Sequence, residues 1–355
     1  MVFMKKRLVF LSTFLSPFRS GAEAMVEEVA VRMTDEYDIT IVTARLRRSL
    51  PKNDSLGKSV RVIRVGFGFS FDKYLFPFLA PFAAKRLKPD IIHAVLESYA
   101  GLALIGCEYI VPRAKRILTL QSTNTSFLLG PIHRSAQIIT AISSVLIERA
   151  KTYGRTDVIL IPNGIDLGAI QEACKSYPKD SSSVLFVGRL EPMKGVDVLL
   201  KAFAKAIIGL SPDIHLRIVG DGSQGQTLKQ LAESLEIDHR VTFAGKVDHQ
   251  AVLMEFARAE IFCGLSRSEA LGNVFLEAQA SGCAVIATNT GGIPDIVKDG
   301  ESGLLVSPDD IDASADAIKS LLTDTTLRAK LSIAGQKRMA PYDWQVIAEK
   351  YVKIY

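Results

Sequence analysis

The most constraining stretch of the chain spans residues 261–306, where short apolar runs alternate with polar turns. Residues 261–265 are typical of a buried strand, a helix is expected over 272–281, and residues 284–288 form the next apolar run. Pro294 suits an early position in a further helix. Strand, loop, helix and strand in this order predict a parallel α/β sheet.

Two glutamates, Glu269 and Glu277, lie in this stretch with Gly272 between them. A parallel sheet binds ligands beyond the carboxyl ends of its strands, where residues 265–273 are expected. The first N–H groups of a helix that Gly272 opens lack partners within the helix and suit a phosphate. Glu277 can then accept hydrogen bonds from a diol, and Glu269 from hydroxyls on the other side of the phosphate. Two solvated glutamates on an ordinary crossover are an equally good interpretation of this stretch alone.

Paired carboxylates also occur in glycosidases. Such a pair needs roughly 5–10 Å between its carboxyl groups, and eight residues along one helix span about 12 Å. A loop position for Glu269 relaxes that limit, so hydrolysis stays open as a minor alternative.

Length and composition set the class of protein. A chain of 355 residues predicts two domains, and 48% apolar with 23% charged residues predicts a globular fold. The four cysteines show neither a CxxC pair nor metal-site spacing, which favours free thiols in a reducing compartment. No apolar run reaches the roughly 18 residues of a membrane-spanning helix. We therefore expect a cytoplasmic protein.

Charge is divided unevenly along the chain. Residues 1–165 carry 23 Lys and Arg against 13 Asp and Glu, and residues 166–355 carry 20 against 25. A basic half can rest on anionic lipid or attract an acidic substrate, although an ordinary solvated surface is the simpler interpretation. No nucleic-acid-binding motif accompanies the charge, so we expect no nucleic acid partner.

The N-terminal residues allow two interpretations. Residues 5–24 contain the basic, apolar and small-residue segments of a secretory signal. They also predict a strand over 7–14, a polar loop and a helix that starts near Gly21, with a second strand over 38–44. We favour the strand, because cleavage of a signal would remove the neighbour that residues 38–44 need.

An aromatic segment follows the third predicted strand, 60–67. Its aromatic residues are Phe67, Phe69, Phe71, Tyr74, Phe76, Phe78 and Phe82, and Lys85, Arg86 and Lys88 follow them. The segment can form an amphipathic surface that touches a membrane, line an acceptor pocket, or pack on the sheet as a helix, which we favour. Pro77 and Pro81 argue against one long helix.

The remaining pattern alternates strands with helices. In the first half, strands are predicted over 89–94, 116–123, 136–143 and 157–164, with helices over 97–110 and 143–153. The second half adds strands over 183–190, 215–222 and 240–247, which makes five with those described above. His93 is expected to end one strand and Gln121 another. The turn at 161–166 marks a boundary between two Rossmann-like, doubly wound α/β domains.

The loop over residues 187–195 joins a predicted strand to a helix and carries Arg189 and Lys194. If its strand neighbours the strand before Glu269, both cations can point into the same cleft. Arg offers a planar fork for phosphate oxygens and Lys a mobile charge. They would stabilise a departing diphosphate, for which the loss of one such donor costs about 3 kcal/mol of barrier.

Five segments together resemble the family 4 glycosyltransferases, which have the GT-B fold. The segments are VGRLEPMKGVDVLLKAF, IVGDGS, FAGKV, SEALGNVFLEAQASGCAVIATNTGGIPDIV and ESGLLV. Glu269 and Glu277 match the family's E-x7-E signature, and the resemblance covers nearly the whole chain. It implies an acceptor-side domain, 1–165, and a nucleotide-sugar-binding domain, 166–340, that face each other across a cleft. Residues 341–355 resemble the helix that crosses back onto the first domain.

The resemblance also implies roles for individual residues. Arg189 and Lys194 would hold the diphosphate, Glu277 the ribose diol and Glu269 the donor sugar's hydroxyls, so that Arg189, Lys194 and Glu269 serve the chemistry. The other implied donor contacts are the backbone of Leu271, Gly272, Asn273 and Val274, the nucleoside border at Gly222 and Val247, and Gly21 near the diphosphate. The family retains anomeric configuration and needs neither a metal ion nor a cofactor besides its nucleotide-sugar co-substrate.

The chain departs from the family pattern at two places. Ser20-Gly21 stands where two glycines are common, and Gln121 stands where a histidine commonly orients the donor sugar. A neutral amide can form hydrogen bonds but cannot take up a proton. His93 and His133 are candidates to serve instead on the sugar or acceptor side, although a structural role is the more natural one for each.

We therefore expect a retaining glycosyltransferase that uses a UDP- or GDP-sugar. A lipid-linked glycan is one candidate acceptor, with peripheral contact at the anionic inner face of a membrane. The alternatives are a nucleotide-sugar 2-epimerase of the same fold, which the E-x7-E pattern disfavours, and a non-catalytic nucleotide-sugar-binding subunit.

Overall fold

The computed structural model describes residues 5–124 and 128–355. These residues form two compact units, the first ending at Gly164 but including Trp344–Tyr355, and the second comprising Ile165–Asp343. The sequence placed these boundaries after residues 165 and 340. Each unit is α/β and built on one largely parallel sheet, which confirms the predicted fold class. Among the helices of the described residues, none is long and apolar enough to cross a membrane.

The first unit contains eight strands and six helices within its described residues. The strands are β1 (Lys6–Leu11), β2 (Tyr37–Ala44), β3 (Asn53–Leu56), β4 (Val60–Val65), β5 (Ile91–Val95), β6 (Lys115–Leu120), β7 (Ile138–Ala141) and β8 (Ile159–Leu160). The helices are α1 (Gly21–Arg32), α2 (Asp72–Leu87), α3 (Tyr99–Ile110), α4 (Leu129–Ser135), α5 (Ser144–Thr152) and, from the end of the chain, α14 (Trp344–Val352). The strand order is β3-β4-β2-β1-β5-β6-β7-β8. Only β3 is antiparallel, and the sequence did not predict it, because three of its four residues are polar.

Strand β1 lies at the centre of the first sheet. Leu8, Phe10 and Leu11 are fully buried, and β1 pairs in parallel with β2 on one side and β5 on the other. The prediction that these residues form a strand beside 38–44 is confirmed. Apolar residues of α1 and α14 complete this core.

Helix α2 corrects one prediction. It runs unbroken from Asp72 to Leu87 with Pro77 and Pro81 inside it. An interior proline costs a helix roughly 3 kcal/mol or more, but α2 packs along α3, and a Cβ on Gly106 would come within 2.8 Å of Pro81. The packing of α2 against α3 offsets the cost of the two prolines, and the sequence could not reveal it. The favoured interpretation, a helix packed on the sheet, is confirmed for the buried face.

The second unit has six parallel strands in the order β11-β10-β9-β12-β13-β14. They are β9 (Asp180–Val187), β10 (His215–Val219), β11 (Val241–Gly245), β12 (Ala259–Gly264), β13 (Ala284–Thr288) and β14 (Leu304–Val306). Its helices are α6 (Leu167–Ser176), α7 (Val196–Ala206), α8 (Gly225–Ser234), α9 (His249–Arg258), α10 (Asn273–Ala280), α11 (Ile293–Ile296), α12 (Ile311–Thr323) and α13 (Thr325–Lys337). The predicted five strands were one too few, because β14 has only three residues.

The strand order fixes where a ligand can bind in the second unit. The direction of winding reverses between β9 and β12, which are hydrogen-bonded neighbours. Open α/β sheets bind ligands beyond the carboxyl ends of the strands at such a reversal. The loops that leave β9 and β12 there are residues 188–195 and 265–272. The strand before Arg189 and Lys194 is therefore the neighbour of the strand before Glu269, as the prediction of a shared cleft required.

Candidate active site

The loop after β9 is shaped to touch the loop after β12. A short 3-10 turn over Pro192–Lys194 ends at Gly195, whose φ is +64°. A Cβ on Gly195 would lie 1.9 Å from the carbonyl oxygen of Leu265. Only glycine permits both this backbone conformation and this approach.

The loop after β12 is also fixed from its other side. A Cβ on Gly291 would lie 1.9 Å from the carbonyl oxygen of Glu269, and the N–H of Gly292 donates to that oxygen at 3.1 Å. The hydroxyl of Thr288 donates to the carbonyl of Ser266 at 2.5 Å. The backbone of residues 266–269 is therefore held on both sides.

Within this frame the side chains of Lys194 and Glu269 form a salt bridge. Their exposed fractions are 17% and 12%, and the hydroxyl of Ser266 donates to Glu269 Oε1 at 3.1 Å. The structure thus brings together the lysine implied for the diphosphate and the glutamate implied for the sugar. Solvent screens the attraction between two side chains this well shielded less than that of an exposed pair.

Arg267 joins the two loops, and no sequence motif points to it. Its guanidinium binds Asp197 of α7 through two hydrogen bonds of 3.0 and 2.8 Å, Asp309 at 2.7 Å, and the carbonyl of Pro192. Its backbone N–H donates to the carbonyl of Met193 at 2.8 Å. The hydrogen bonds to Asp197 raise the pKa of Arg267, against the opposing effect of burial. A pattern of residue types could not have revealed a contact that depends on the pairing of β9 with β12.

The strands β10 and β11 add a third side to the site. Glu191 accepts from the backbone N–H and the hydroxyl of Ser223 at 3.1 and 2.7 Å, and these hydrogen bonds lower the pKa of Glu191. A Cβ on Gly222 would lie 2.5 Å from the carbonyl oxygen of Leu190. Arg189 is exposed in the same loop, and Val247 follows β11 half-buried.

Helix α10 begins as predicted. Gly272 is its N-cap with a φ of +92°, and Asn273 and Val274 are its first residues. Leu271 is buried before it, and Glu277 lies one turn into the helix, half-buried. The N-terminus of α10 directly follows the loop that carries Glu269, and a helix N-terminus in this place suits a phosphate.

In the first unit, Gly21 starts α1, and the side chain of Glu23, a residue of the same helix, binds at the helix N-terminus. Glu23 accepts from the backbone N–H of Ser20 at 2.8 Å and from the Ser20 hydroxyl. Such a capping box satisfies donors that a phosphate would otherwise use. The implied role of Gly21 beside the diphosphate stays a prediction.

Gln121 follows β6 and is almost fully buried. Its amide pairs face to face with Asn163, through hydrogen bonds of 2.9 and 3.1 Å. Its backbone N–H donates to Glu97 at 3.1 Å, and Glu97 in turn binds Arg149. The residue at the usual histidine position is thus part of a buried polar cluster.

Both histidines lie in the core, in keeping with the structural role favoured for each, and the structure corrects the predicted strand end at His93. His93 does not end its strand, because β5 continues to Val95, and its imidazole is fully buried between Tyr355 at 2.5 Å and Thr119 at 2.6 Å. His133 is also fully buried, in α4. Imidazoles enclosed in this way cannot contact an acceptor, so both belong to the core.

Comparison with known proteins agrees with this geometry. The model described as Glycosyltransferase Family 4 matches residues 19–169, and Glycosyl transferases group 1 matches residues 171–338. The phosphatidyl-myo-inositol mannosyltransferase of Mycolicibacterium smegmatis is 33% identical over 265 residues, which cover 73% of this chain and 68% of that protein.

Two solved structures show the same fold. The sucrose-phosphate synthase of Thermosynechococcus elongatus has a TM-score of 0.83 at 22% identity, covering 99% of this chain and 98% of that one. HepE of Anabaena, solved with UDP and glucose, has a TM-score of 0.79 at 20% identity, covering 98% and 99%.

The match to a named mannosyltransferase favours sugar transfer over the epimerase and non-catalytic alternatives. The chain therefore belongs to glycosyltransferase family 4 and is an enzyme that moves a sugar from a nucleotide-sugar donor to an acceptor hydroxyl.

Proposed function

We propose that this enzyme transfers a sugar from a UDP- or GDP-sugar to a lipid-linked acceptor at the cytoplasmic surface of a membrane, with retention of anomeric configuration. The observation that carries the proposal is an exposed row of aromatic side chains on α2. The name of the relative from Mycolicibacterium smegmatis, which specifies phosphatidyl-myo-inositol, supports the same class of acceptor. Four free cysteines fit a reducing compartment.

The row consists of Phe71, Tyr74, Phe78 and Phe82, which we call the aromatic stripe. Their exposed fractions are 47%, 57%, 70% and 56%. Spacings of three and four residues place them on one face of the helix, while the opposite face, with Phe76 and Ala80, is fully buried. Large apolar side chains in a contiguous exposed row mark a surface that contacts a partner or a membrane.

A membrane is the better partner because of the charges beside the stripe. Lys85, Arg86 and Lys88 are exposed at the end of α2. An aromatic face with basic residues at its margin is the pattern of a helix that lies in the interface of an anionic bilayer.

For the donor, we propose that Lys194 and Arg189 compensate the charge of the diphosphate without a metal ion. Donors fixed before the reaction stabilise a leaving diphosphate most effectively. Lys194 lies beside Glu269 at this edge of the sheet, and Arg189 is exposed in the same loop. Chelation of divalent ions should therefore leave the rate of transfer unchanged.

The donor is tested by measuring hydrolysis of a panel of UDP-, GDP- and ADP-sugars by mass spectrometry, with and without EDTA. Slow hydrolysis of one donor, absent in Glu277→Ala, would identify the base and the sugar together. Absence of binding to every donor would contradict the assignment of the site, and loss of activity in EDTA would contradict metal-independent chemistry.

The membrane is tested by sedimentation with phosphatidylcholine vesicles that contain 20 mol% phosphatidylglycerol. Phe78→Ser with Phe82→Ser should release the protein from the vesicles. The matched control, Ile208→Ser with Ile333→Ser, changes two exposed apolar residues of the second unit and should have no effect. Equal binding by both double variants would contradict a role for the stripe.

A further inference from the structure

Three neighbouring strands of the first sheet bring two arginines and two phenylalanines to its carboxyl edge. Phe18 follows β1, Arg47 and Arg48 follow β2, and Phe69 follows β4, and these strands are adjacent in the order β4-β2-β1. The guanidinium of Arg47 lies 4.7 Å from the centre of the Phe18 ring, and that of Arg48 lies 4.4 Å from the centre of Phe69. We call these four residues the arginine platform.

The backbone beneath the arginine platform is fixed. Asp72, which is fully buried, accepts from the N–H groups of Gly68 at 2.6 Å and Phe69 at 3.2 Å. Gly68 has a φ of +93°, and a Cβ there would lie 2.8 Å from the Cα of Arg48. Arg45 donates to the carbonyl of Arg48 at 2.8 Å. The two loops are therefore locked against each other before any ligand binds.

The two arginines of the platform differ in pairing from three other arginines of this unit. Arg19 binds Glu27 and Glu28, Arg61 binds Asp38, and Arg64 binds Asp54. Arg47 and Arg48 are exposed, and within residues 5–124 and 128–355 neither forms an ion pair. A guanidinium that rests on an aromatic ring keeps its planar edge of N–H donors free for an anion.

The platform continues into the aromatic stripe. The rings of Phe69 and Phe71 stack with their centres 5.3 Å apart and their planes 11° from parallel, and Phe71 is the first residue of the stripe. An apolar surface therefore runs from the unpaired arginines along one face of α2. The arginines of the platform match the anionic head group of a phospholipid, and the aromatic stripe matches its apolar chains.

We propose that Arg47 and Arg48 bind the phosphodiester of an anionic phospholipid acceptor, whose acyl chains lie along the aromatic stripe. This inference rests on the proposed function and specifies the acceptor's charge. Arginine recognises phosphate through paired hydrogen bonds, and the carboxyl edge of a parallel sheet is where ligands bind. Phe18 and Phe69 support the two guanidinium groups from below, at 4.7 and 4.4 Å.

The test uses a short-chain lipid that stays monomeric, dihexanoyl phosphatidylglycerol, so that binding to a membrane surface does not contribute. Its affinity for the whole protein is measured by titration calorimetry, beside vesicles of phosphatidylcholine with 20 mol% phosphatidylglycerol. Arg47→Gln with Arg48→Gln should weaken binding of the monomeric lipid at least tenfold. The matched control, Lys58→Gln with Arg113→Gln, removes the same charge at two exposed positions of the unit outside the platform and α2, and should change the affinity less than twofold.

The outcomes separate this inference from the proposed function. Equal losses in the two double variants would overturn the inference, because they would show a diffuse effect of charge. Vesicle binding by the wild type with unchanged lipid affinity in Arg47→Gln/Arg48→Gln would overturn the platform while leaving the membrane proposal intact. Platform-dependent binding of the monomeric lipid without any vesicle binding would support the platform and contradict membrane contact.

Discussion

Lys194 and Glu269, 75 residues apart in the chain, form a salt bridge with each other at the carboxyl edge of the second sheet. The family resemblance implies that Lys194 binds the diphosphate of the donor and that Glu269 binds its sugar. A diphosphate that binds Lys194 must compete with Glu269 for the ammonium group. Once displaced, the Glu269 carboxylate is free to accept hydrogen bonds from the sugar, so that recognition of the two halves of the donor is coupled.

We predict that Glu269→Gln changes affinity for the two kinds of nucleotide in opposite directions. Free nucleoside diphosphate should bind about fivefold more tightly, because ~1 kcal/mol of competing ion-pair energy is removed. The nucleotide-sugar should bind more weakly, because the amide replaces a charged acceptor. Calorimetric titration with both ligands measures this, and a parallel loss for both would show that Glu269 acts only on local structure.

Arg267 should control the relative position of Lys194 and Glu269 without contacting the donor. Arg267→Ala should lower kcat/KM at least tenfold, because the loop after β9 loses hydrogen bonds at the carbonyl of Pro192 and at Asp197. Arg267→Lys keeps the charge but not the planar fork, and should recover only part of the rate. Steady-state kinetics with a fixed acceptor measures both.

A control for Arg267 is available in Asp309, which binds Arg267 Nε at 2.7 Å from a more exposed position. Asp309→Asn should change kcat/KM less than threefold, because exposed ion pairs contribute ~0–1 kcal/mol. If Arg267→Ala loses activity only in proportion to its loss of folded protein at the assay temperature, a role in positioning is contradicted.

The buried histidines predict acid sensitivity of the first unit. Burial lowers the pKa of His93 to about 3 and that of His133 to about 4, from an ordinary value of 6.5. The unfolded chain therefore binds more protons between pH 6.5 and about 4, and the free energy of unfolding should fall as the pH drops through that range. Above pH 6.5 the contribution is complete. Urea unfolding at pH 7.5, 6 and 5 measures the slope, and a flat profile would contradict it.

The paired amides of Gln121 and Asn163 give a stability test. Gln121→Leu should cost about 1–3 kcal/mol, because it removes two hydrogen bonds from the buried amide of Asn163. Gln121→Leu with Asn163→Leu should cost less than the sum of the two single variants, because the hydrogen bonds that the two amides share can be lost only once. Chemical unfolding measures the cycle, and additive losses in the double variant would show that the two amides do not depend on each other.

Much of the second unit followed from the sequence, because its helices and strands repeat at clear spacings. Gly272 at the start of α10 and the contact of the Lys194 loop with the Glu269 loop both follow from a local pattern and the winding of a parallel sheet. Family resemblance supplied the roles of these residues, and periodicity alone would have left Glu269 and Glu277 as two surface glutamates.

The errors have a common physical origin in packing between distant segments. Pro77 and Pro81 oppose a helix locally, and only α3 beside them explains why α2 continues. His93 was placed at a strand end, although its partner Tyr355 lies 262 residues away. Arg267 was missed for the same reason, since Asp197 is 70 residues distant. No window of local sequence contains such pairs.

The position of α14 has a consequence for how the chain is made. Tyr351 and Tyr355 complete the interior of the first unit, where Tyr355 binds His93 and Lys115 donates to the carbonyl of Ile354 at 2.7 Å. When the ribosome has synthesised residues 5–164, the first unit therefore still lacks α14 and the tyrosines that complete its core. The second unit, an uninterrupted segment, can fold during this interval, whereas the first must wait until the last helix emerges.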